Sequence, residues 1–146
     1  ILVNSWLAAC VIPVVMSTAS MNEYIECRAD AAIVNHVIEY KPLVADYFKE
    51  QDITQALKII FCESSGKKNA KGRNRDGTED IGIWQFNDRT WAWLKPKLGI
   101  ISNRTDAVVS TKVAAWLVYN DGWHHWNSSK SCWKGTNNAL LQYKER

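Results

Sequence analysis

Glu63 and Asp80 stand seventeen residues apart, the second inside the run Gly77-Thr-Glu-Asp-Ile-Gly-Ile-Trp-Gln-Phe-Asn87. Two carboxylates in unequal surroundings can divide acid and base work, one kept protonated and the other ionised. That division is the chemistry that breaks glycosidic bonds. The surroundings differ as the chemistry requires. Glu63 closes an apolar stretch of helical periodicity, whereas Asp80 sits in a polar, turn-rich segment.

The element that must position Glu63 is a helix opening near Asp52. Asp52 followed by Gln55 reads as a capping box, Ile53, Ala56, Leu57 and Ile60 form one apolar stripe, and Ser64-Ser65-Gly66 supplies the stop. The stripe extends to Glu63, placing a carboxylic acid on the buried face of the last turn. Desolvation and the negative end of the helix dipole are both expected to raise its pKa, as a general acid needs. The competing reading is a surface glutamate at a fraying helix end.

Asp80 is expected on a small antiparallel hairpin. Asp76-Gly77 is its turn signal, with Ile81 and Ile83 on one face and Asp80, Gly82 and Trp84 on the other. Asp76 reads as a turn former, and Glu79 competes with Asp80 for the second carboxylate role. Upstream, residues 31–50 carry helical spacing that Pro42 should divide into two pieces. Downstream, Thr90-Trp-Ala-Trp93 and Pro96 predict short helical turns and loop. Thr105-Asp106 opens a further helix, carried by Val108, Val109, Val113, Trp116 and Leu117, that Asn120-Asp-Gly122 ends. Helices, a small hairpin and helices again make an α+β chain.

The chain has 146 residues, a net charge of +3 and a charged fraction of 23%, which fits one globular domain with a real core. No block of like charge points to nucleic acid. The cluster Lys67, Lys68, Lys71, Arg73 and Arg75 reads as a solvated loop, with contact to wall anions as the sharper alternative. Residues 1–22 carry no charge. Leu7 to Met16 is apolar enough for a signal-peptide core, Ser17-Thr-Ala19 has the pattern of a cleavage site, and Leu7-Ala-Ala-Cys10 looks like a lipobox. An export or anchoring segment, a helix packed on the domain and a processing remnant stay open for this stretch. The organisation expected is therefore an apolar segment over 1–22 and a catalytic domain over 23–146. Four cysteines permit three pairings. Adjacent His124 and His125 would not share a helix face, and with no third ligand nearby no metal is expected there.

From Cys62-Glu-Ser-Ser through Asn-Arg-Asp-Gly-Thr-Glu-Asp-Ile-Gly-Ile-Trp-Gln-Phe-Asn-Asp-Arg89, the chain resembles the lysozyme superfamily, most closely the chicken-type lysozymes, with lytic transglycosylases as relatives. Trp123-x-x-Trp126, Cys132 and Lys134-Gly135 extend the match, which covers roughly the last two-thirds of the chain. The resemblance implies a mostly helical domain, a small antiparallel β-hairpin subdomain and an active-site cleft between them. It implies that Glu63 is general acid and then base, and that Asp80 is nucleophile or stabiliser of an oxocarbenium-like transition state. By the same carry-over Asn74 and Asn87 hydrogen-bond Asp80, Gln85 lines the cleft floor, Trp91 is a sugar platform and Trp123 is the apolar wall against Glu63. Trp84, Trp93 and Trp126 are the runners-up for the cleft, the remaining tryptophans being packing.

The family's cysteine partner for Cys132 falls at Lys58, and Cys62 lies one turn further along the same side, so a Cys62–Cys132 bridge is expected beside the active centre. The family's calcium loop needs several carboxylates, and residues 98–110 offer only Asp106, so neither metal nor cofactor is expected. The implied activity is cleavage of the β-1,4 bond between N-acetylmuramic acid and N-acetylglucosamine. Hydrolysis uses both acids, and lytic transglycosylation uses Glu63 alone. A non-catalytic sugar-binding or regulatory module is the contrasting class. The reduced cysteine set and the unmatched first third resemble bacterial or phage wall-lytic proteins more than animal lysozymes. The expected partners are peptidoglycan glycan strands, with no nucleic acid, and a membrane through residues 1–19 if these anchor the chain. A secreted, periplasmic or virion-associated monomer, or a component of a larger virion or wall-lytic assembly, fits that role.

Overall fold

Six α-helices, three 3-10 segments and three short strands follow one another in a computed structural model that describes residues 10, 12–14 and 17–134. Most of the signal-like stretch and Gly135 lie outside the described residues. Helix α1 spans Thr18–His36, α2 Lys41–Tyr47, α3 Ile53–Ser64, α4 Asp88–Leu98, α5 Ala107–Asp121 and α6 Lys130–Trp133. Strands β1 (Lys71–Arg73), β2 (Glu79–Ile81) and β3 (Phe86–Asn87) form one antiparallel sheet in that order. The expected α+β architecture stands, with a third strand added to the hairpin.

Helix α3 is the centre of the packing. Ala56, Leu57, Ile59, Ile60, Phe61 and Cys62 are all buried, so the helix is covered on more than the single stripe its spacing predicts. The hydrophobic effect accounts for its central place, at about 1.5–3 kcal/mol for each large apolar side chain withdrawn from water. It packs on α1, α2, α6 and the 3-10 segment Trp123–Ser129. The capping box at its start does not form. Asp52 occupies the N-cap position without a side-chain cap, because its carboxylate accepts instead from Tyr119 Oη at 2.7 Å. Buried Lys58 pairs with Asp30 of α1 at 3.0 Å.

Helix α1 begins at Thr18, capped by Ser17, and runs without a break through position 22. The break expected at Pro42 falls at Val37, and Pro42 sits in the first turn of α2, where its missing N–H is unneeded. The predicted turns after Asn87 are instead one helix, α4, with Asn87 accepting from the Arg89 amide at its start. Pro96 lies inside the last turn, where it gives up its own helical hydrogen bond to the Ala92 carbonyl, and Gly99 closes the helix. Helix α5 starts and stops where expected: Asp106 accepts from the Val109 amide, and Gly122 ends it at φ 93°.

Buried tryptophans tie the core together through their indole N–H groups, each of which needs an acceptor once removed from water. Trp84 donates to Thr111 Oγ1 (3.0 Å), Trp126 to the Trp84 carbonyl (3.0 Å) and Trp133 to the Trp126 carbonyl (3.1 Å). Two disulfides join Cys62 to Cys132 and Cys10 to Cys27. The first clamps the end of α3 to α6. The second settles a pairing that the four cysteines alone leave open.

Candidate active site

Glu63 sits in the last turn of α3, half-buried, and Ser129 Oγ donates to its Oε1 at 2.5 Å. The same hydroxyl lies 3.2 Å from the Trp126 carbonyl. Behind Glu63 the chain reverses sharply: Ser65 adopts a left-handed φ of 52° and Gly66 one of 76°. Ser64 makes that reversal rigid, donating to the carbonyls of Ile60 (3.0 Å) and Ile83 (2.9 Å) and accepting from the Gly66 amide. One serine thereby pins the end of the acid's helix to the turn between β2 and β3.

Asp80 lies on the middle strand, with Gly72 and Asn87 as its register partners. Asn87 Nδ2 donates to Asp80 Oδ1 at 2.8 Å, as the resemblance implies. Asn74 does not reach Asp80. It is exposed and donates to Thr78 Oγ1 at 3.1 Å, and that oxygen also receives Asn87 Nδ2 at 2.9 Å. Asn74 therefore supports the aspartate through Thr78 and Asn87. Asp76 behaves as a turn former: it accepts from the Thr78 hydroxyl and amide, contacts that hold its carboxyl below the usual range. Glu79 points away from this network and pairs with Lys71 at 2.9 Å.

One cavity of about 200 Å³ brings Glu63 and Asp80 together, lined also by Gln85, Phe86, Asn87, Thr90, His125, Trp126 and Ser128. Gln85 lines the cavity with φ 51°, and its amide donates to the carbonyls of Ala70 (3.0 Å) and Gly82 (2.9 Å). Strand β2 ends at Ile81 rather than running to Trp84. The chain turns over Gly82–Gln85, and Ile83 and Trp84 are both buried instead of alternating between faces. Gly82 makes this possible, because a Cβ there would lie 2.1 Å from the Arg104 carbonyl.

Two aromatic expectations change. Trp126, a runner-up, supplies the apolar wall of the Glu63 cavity together with Phe86, while Trp123 stacks on Phe48 with ring centres 6.0 Å apart. Trp91 is 7% exposed, packs on Phe86 and borders a separate cavity of about 510 Å³ with Lys68, Lys95 and residues 101–106. Both displacements follow from local structure. The 3-10 path after Gly122 turns Trp123 toward α2's end, and the continuous helix α4 directs Trp91 into the core.

Ser129 and Arg104 escape the sequence reading, which also gives His125 no place in the cavity that it lines. Arg104 donates to the carbonyls of Glu79 (2.9 Å) and Phe86 (2.7 Å) and to Asp88 Oδ1 (2.6 Å), clamping β2 to β3. No spacing rule links it to the sheet. Ser129 lies three residues before Cys132, whose expected bridge to Cys62 already brought that segment toward Glu63. His124 and His125 do converge, both on Asp121.

The Transglycosylase SLT domain model matches residues 45–129, more than half of the chain. The chain belongs to the transglycosylase SLT family. No curated protein and no solved structure matches it. The SLT match runs from α2 to Ser129 and contains both carboxylates and every residue lining their cavity. It makes this chain a lysozyme-like enzyme that cleaves glycosidic bonds of peptidoglycan, a substrate found outside the cytoplasm. Helix α1 and the Cys10–Cys27 bridge lie outside the matched stretch. No helix among the described residues is long and apolar enough to cross a membrane.

Proposed function

We propose that this SLT domain is a muramidase cleaving the β-1,4 bond between N-acetylmuramic acid and N-acetylglucosamine, with Glu63 as acid and then base and Asp80 as nucleophile or stabiliser. The observation that carries this reading is the single cavity shared by the two carboxylates. Glu63 gives its proton to the glycosidic oxygen as the bond to the anomeric carbon breaks. Asp80, ionised, either bonds to that carbon or offsets its positive charge. The Glu63 carboxylate then takes a proton from water, which restores the acid, as the water oxygen bonds to the anomeric carbon and displaces the Asp80 carboxylate where that has bonded there. Ser129 holds Glu63, and Asn87 holds Asp80, so neither carboxylate must be oriented anew by the substrate. The closeness to chicken-type lysozymes is part of this proposal and rests on the spacing of Glu63 and Asp80.

Family membership favours a second reading, lytic transglycosylation. In that reaction the Glu63 carboxylate deprotonates a hydroxyl of the muramic sugar itself, and that oxygen closes an anhydro ring without water. Mass spectrometry of fragments released from purified peptidoglycan separates the two. The muramidase leaves reducing ends that carry one added water. Anhydro ends as the persistent main product would overturn it in favour of transglycosylation. The chain is proposed to act in a secreted, periplasmic or virion-associated setting, as a monomer or within a wall-lytic assembly, with the catalytic domain at 23–146 and residues 18–22 joined to it as the start of helix α1. Both disulfides fit an oxidising compartment.

A further inference from the structure

Beyond the two carboxylates, the described residues hold one more convergent cluster of chemically able side chains. It lies where α5 ends. Asp121 is the last residue of that helix, Gly122 turns the chain at φ 93°, and the 3-10 segment beginning at Trp123 brings two histidines back over the helix end. His124 Nε2 lies 3.1 Å and His125 Nε2 2.7 Å from the same oxygen, Asp121 Oδ2. The ring centres are 4.3 Å apart, and the three donor atoms lie within 4.8 Å of one another. Adjacent residues on a regular α-helix would diverge. The helix end and the change to 3-10 geometry remove that obstacle, and Asp121 supplies the third ligand that the histidine pair lacks in sequence.

We propose that Asp121, His124 and His125 form a binding site for a divalent transition ion of the zinc class. Imidazole nitrogen with one carboxylate suits zinc and its neighbours better than calcium or magnesium, which prefer oxygen alone. The spacing is close to what such an ion needs. Tetrahedral bonds of ~2.0–2.1 Å place neighbouring ligand atoms about 3.3 Å apart, so the contacts of 3.1 and 2.7 Å to Asp121 open slightly on binding while the two histidine nitrogens, within 4.8 Å of each other, adjust to the same spacing. An ion takes the Nε2 lone pair of each ring in its neutral form, with the ring proton on Nδ1. Asp121 and His124 are exposed, which gives an ion access from solvent, and three protein ligands leave one position for water. His125 also lines the Glu63–Asp80 cavity, so the bound ion fixes a side chain in the wall of the catalytic site.

Isothermal titration of the chelator-treated full chain with zinc chloride tests the site directly. One equivalent is expected to bind with micromolar affinity. His124→Ala and Asp121→Asn should each weaken binding at least tenfold while leaving the melting temperature close to wild type. His36→Ala removes the only other histidine and should bind as wild type. No binding at zinc concentrations up to about 100 µM, a free energy near 5–6 kcal/mol, would overturn the site. So would undiminished affinity in both the His124 and Asp121 variants, which would place the ion elsewhere.

Discussion

Ser129 offers one hydroxyl hydrogen to two neighbours, Glu63 Oε1 at 2.5 Å and the Trp126 carbonyl at 3.2 Å. The shorter contact takes the hydrogen, so removing the hydroxyl loosens one hold on the glutamate before it disturbs the fold. Ser129→Ala is expected to lower kcat about tenfold with KM little changed, since misplacing a catalytic group by ~1 Å can cost up to 10²-fold. Steady-state rates on purified glycan strands, with a thermal melt as control, check this; a change in KM alone would contradict it. Asp80→Asn separates the two carboxylate mechanisms. Under hydrolysis, turnover should fall by ~10²-fold or more, the scale of losing one electrostatic partner of the transition state, whereas activity within a few-fold of wild type would remove Asp80 from the reaction. The helix end that carries Glu63 and the strand that carries Asp80 are both legible in the sequence. Asp80 was read together with a rival, Glu79, and only the ion pair of Glu79 with Lys71 shows that the neighbours serve opposite sides of the strand.

Among the elements, the small sheet is the least conventional, because strands of two or three residues have few ladder bonds of their own. Arg104 and Asp88 compensate. The guanidinium bonds carbonyls of β2 and β3, and Asp88 accepts from the Glu79 amide at 2.8 Å. That amide and the Arg104 guanidinium hold the Asp88 carboxyl below the usual carboxylate range. A carboxyl so depressed in the folded state stabilises it above the unfolded pKa, about 3.9, and the contribution fades as pH falls through the folded value. Melting temperatures of wild type and Asp88→Asn should therefore differ near pH 7 and converge toward pH 2–3; a gap of constant size across that range would refute the linkage. Gly82 is the other dependence. Its φ of 89° and the 2.1 Å approach of the Arg104 carbonyl leave no room for a methyl group. Gly82→Ala should destabilise the domain by roughly 1–3 kcal/mol or more, the scale of a strained backbone residue, measured by urea unfolding. Helices α3 and α5 could be placed from apolar spacing and their stop residues. The third strand, the unbroken α4 and the failed cap at Asp52 could not, because each depends on a distant partner. Tyr119 takes the Asp52 carboxylate, and Arg104 holds the strand ends.

At the scale of the molecule, the Cys62–Cys132 bridge spans 70 residues and ties the acid's helix to the segment that follows its hydrogen-bond partner. Closing a loop of that length stabilises by about 4 kcal/mol in a chain-entropy treatment. Cys62→Ala with Cys132→Ala should lower unfolding free energy by about 2–5 kcal/mol and reduce activity beyond what the loss of folded protein explains. Equal specific activity per folded molecule would show that the bridge serves stability alone. The resemblance to chicken-type lysozymes implies that pairing, whereas Cys10–Cys27 has no counterpart in it, and the lipobox-like run at Cys10 points to lipidation rather than to a bridge. The aromatic lining was the weakest part of the sequence reading. Trp126 and Trp123 are three residues apart, and only the 3-10 path after Gly122 decides which of them meets Glu63. The central claim is that Glu63 carries the proton for bond cleavage, and Glu63→Gln tests it most directly because the amide keeps the shape and can still accept from Ser129. Turnover of purified peptidoglycan should fall by about 10²–10⁴-fold, the contribution of a positioned general acid, with the melting temperature little changed. Turnover within a few-fold of wild type by a folded Glu63→Gln protein would contradict the claim.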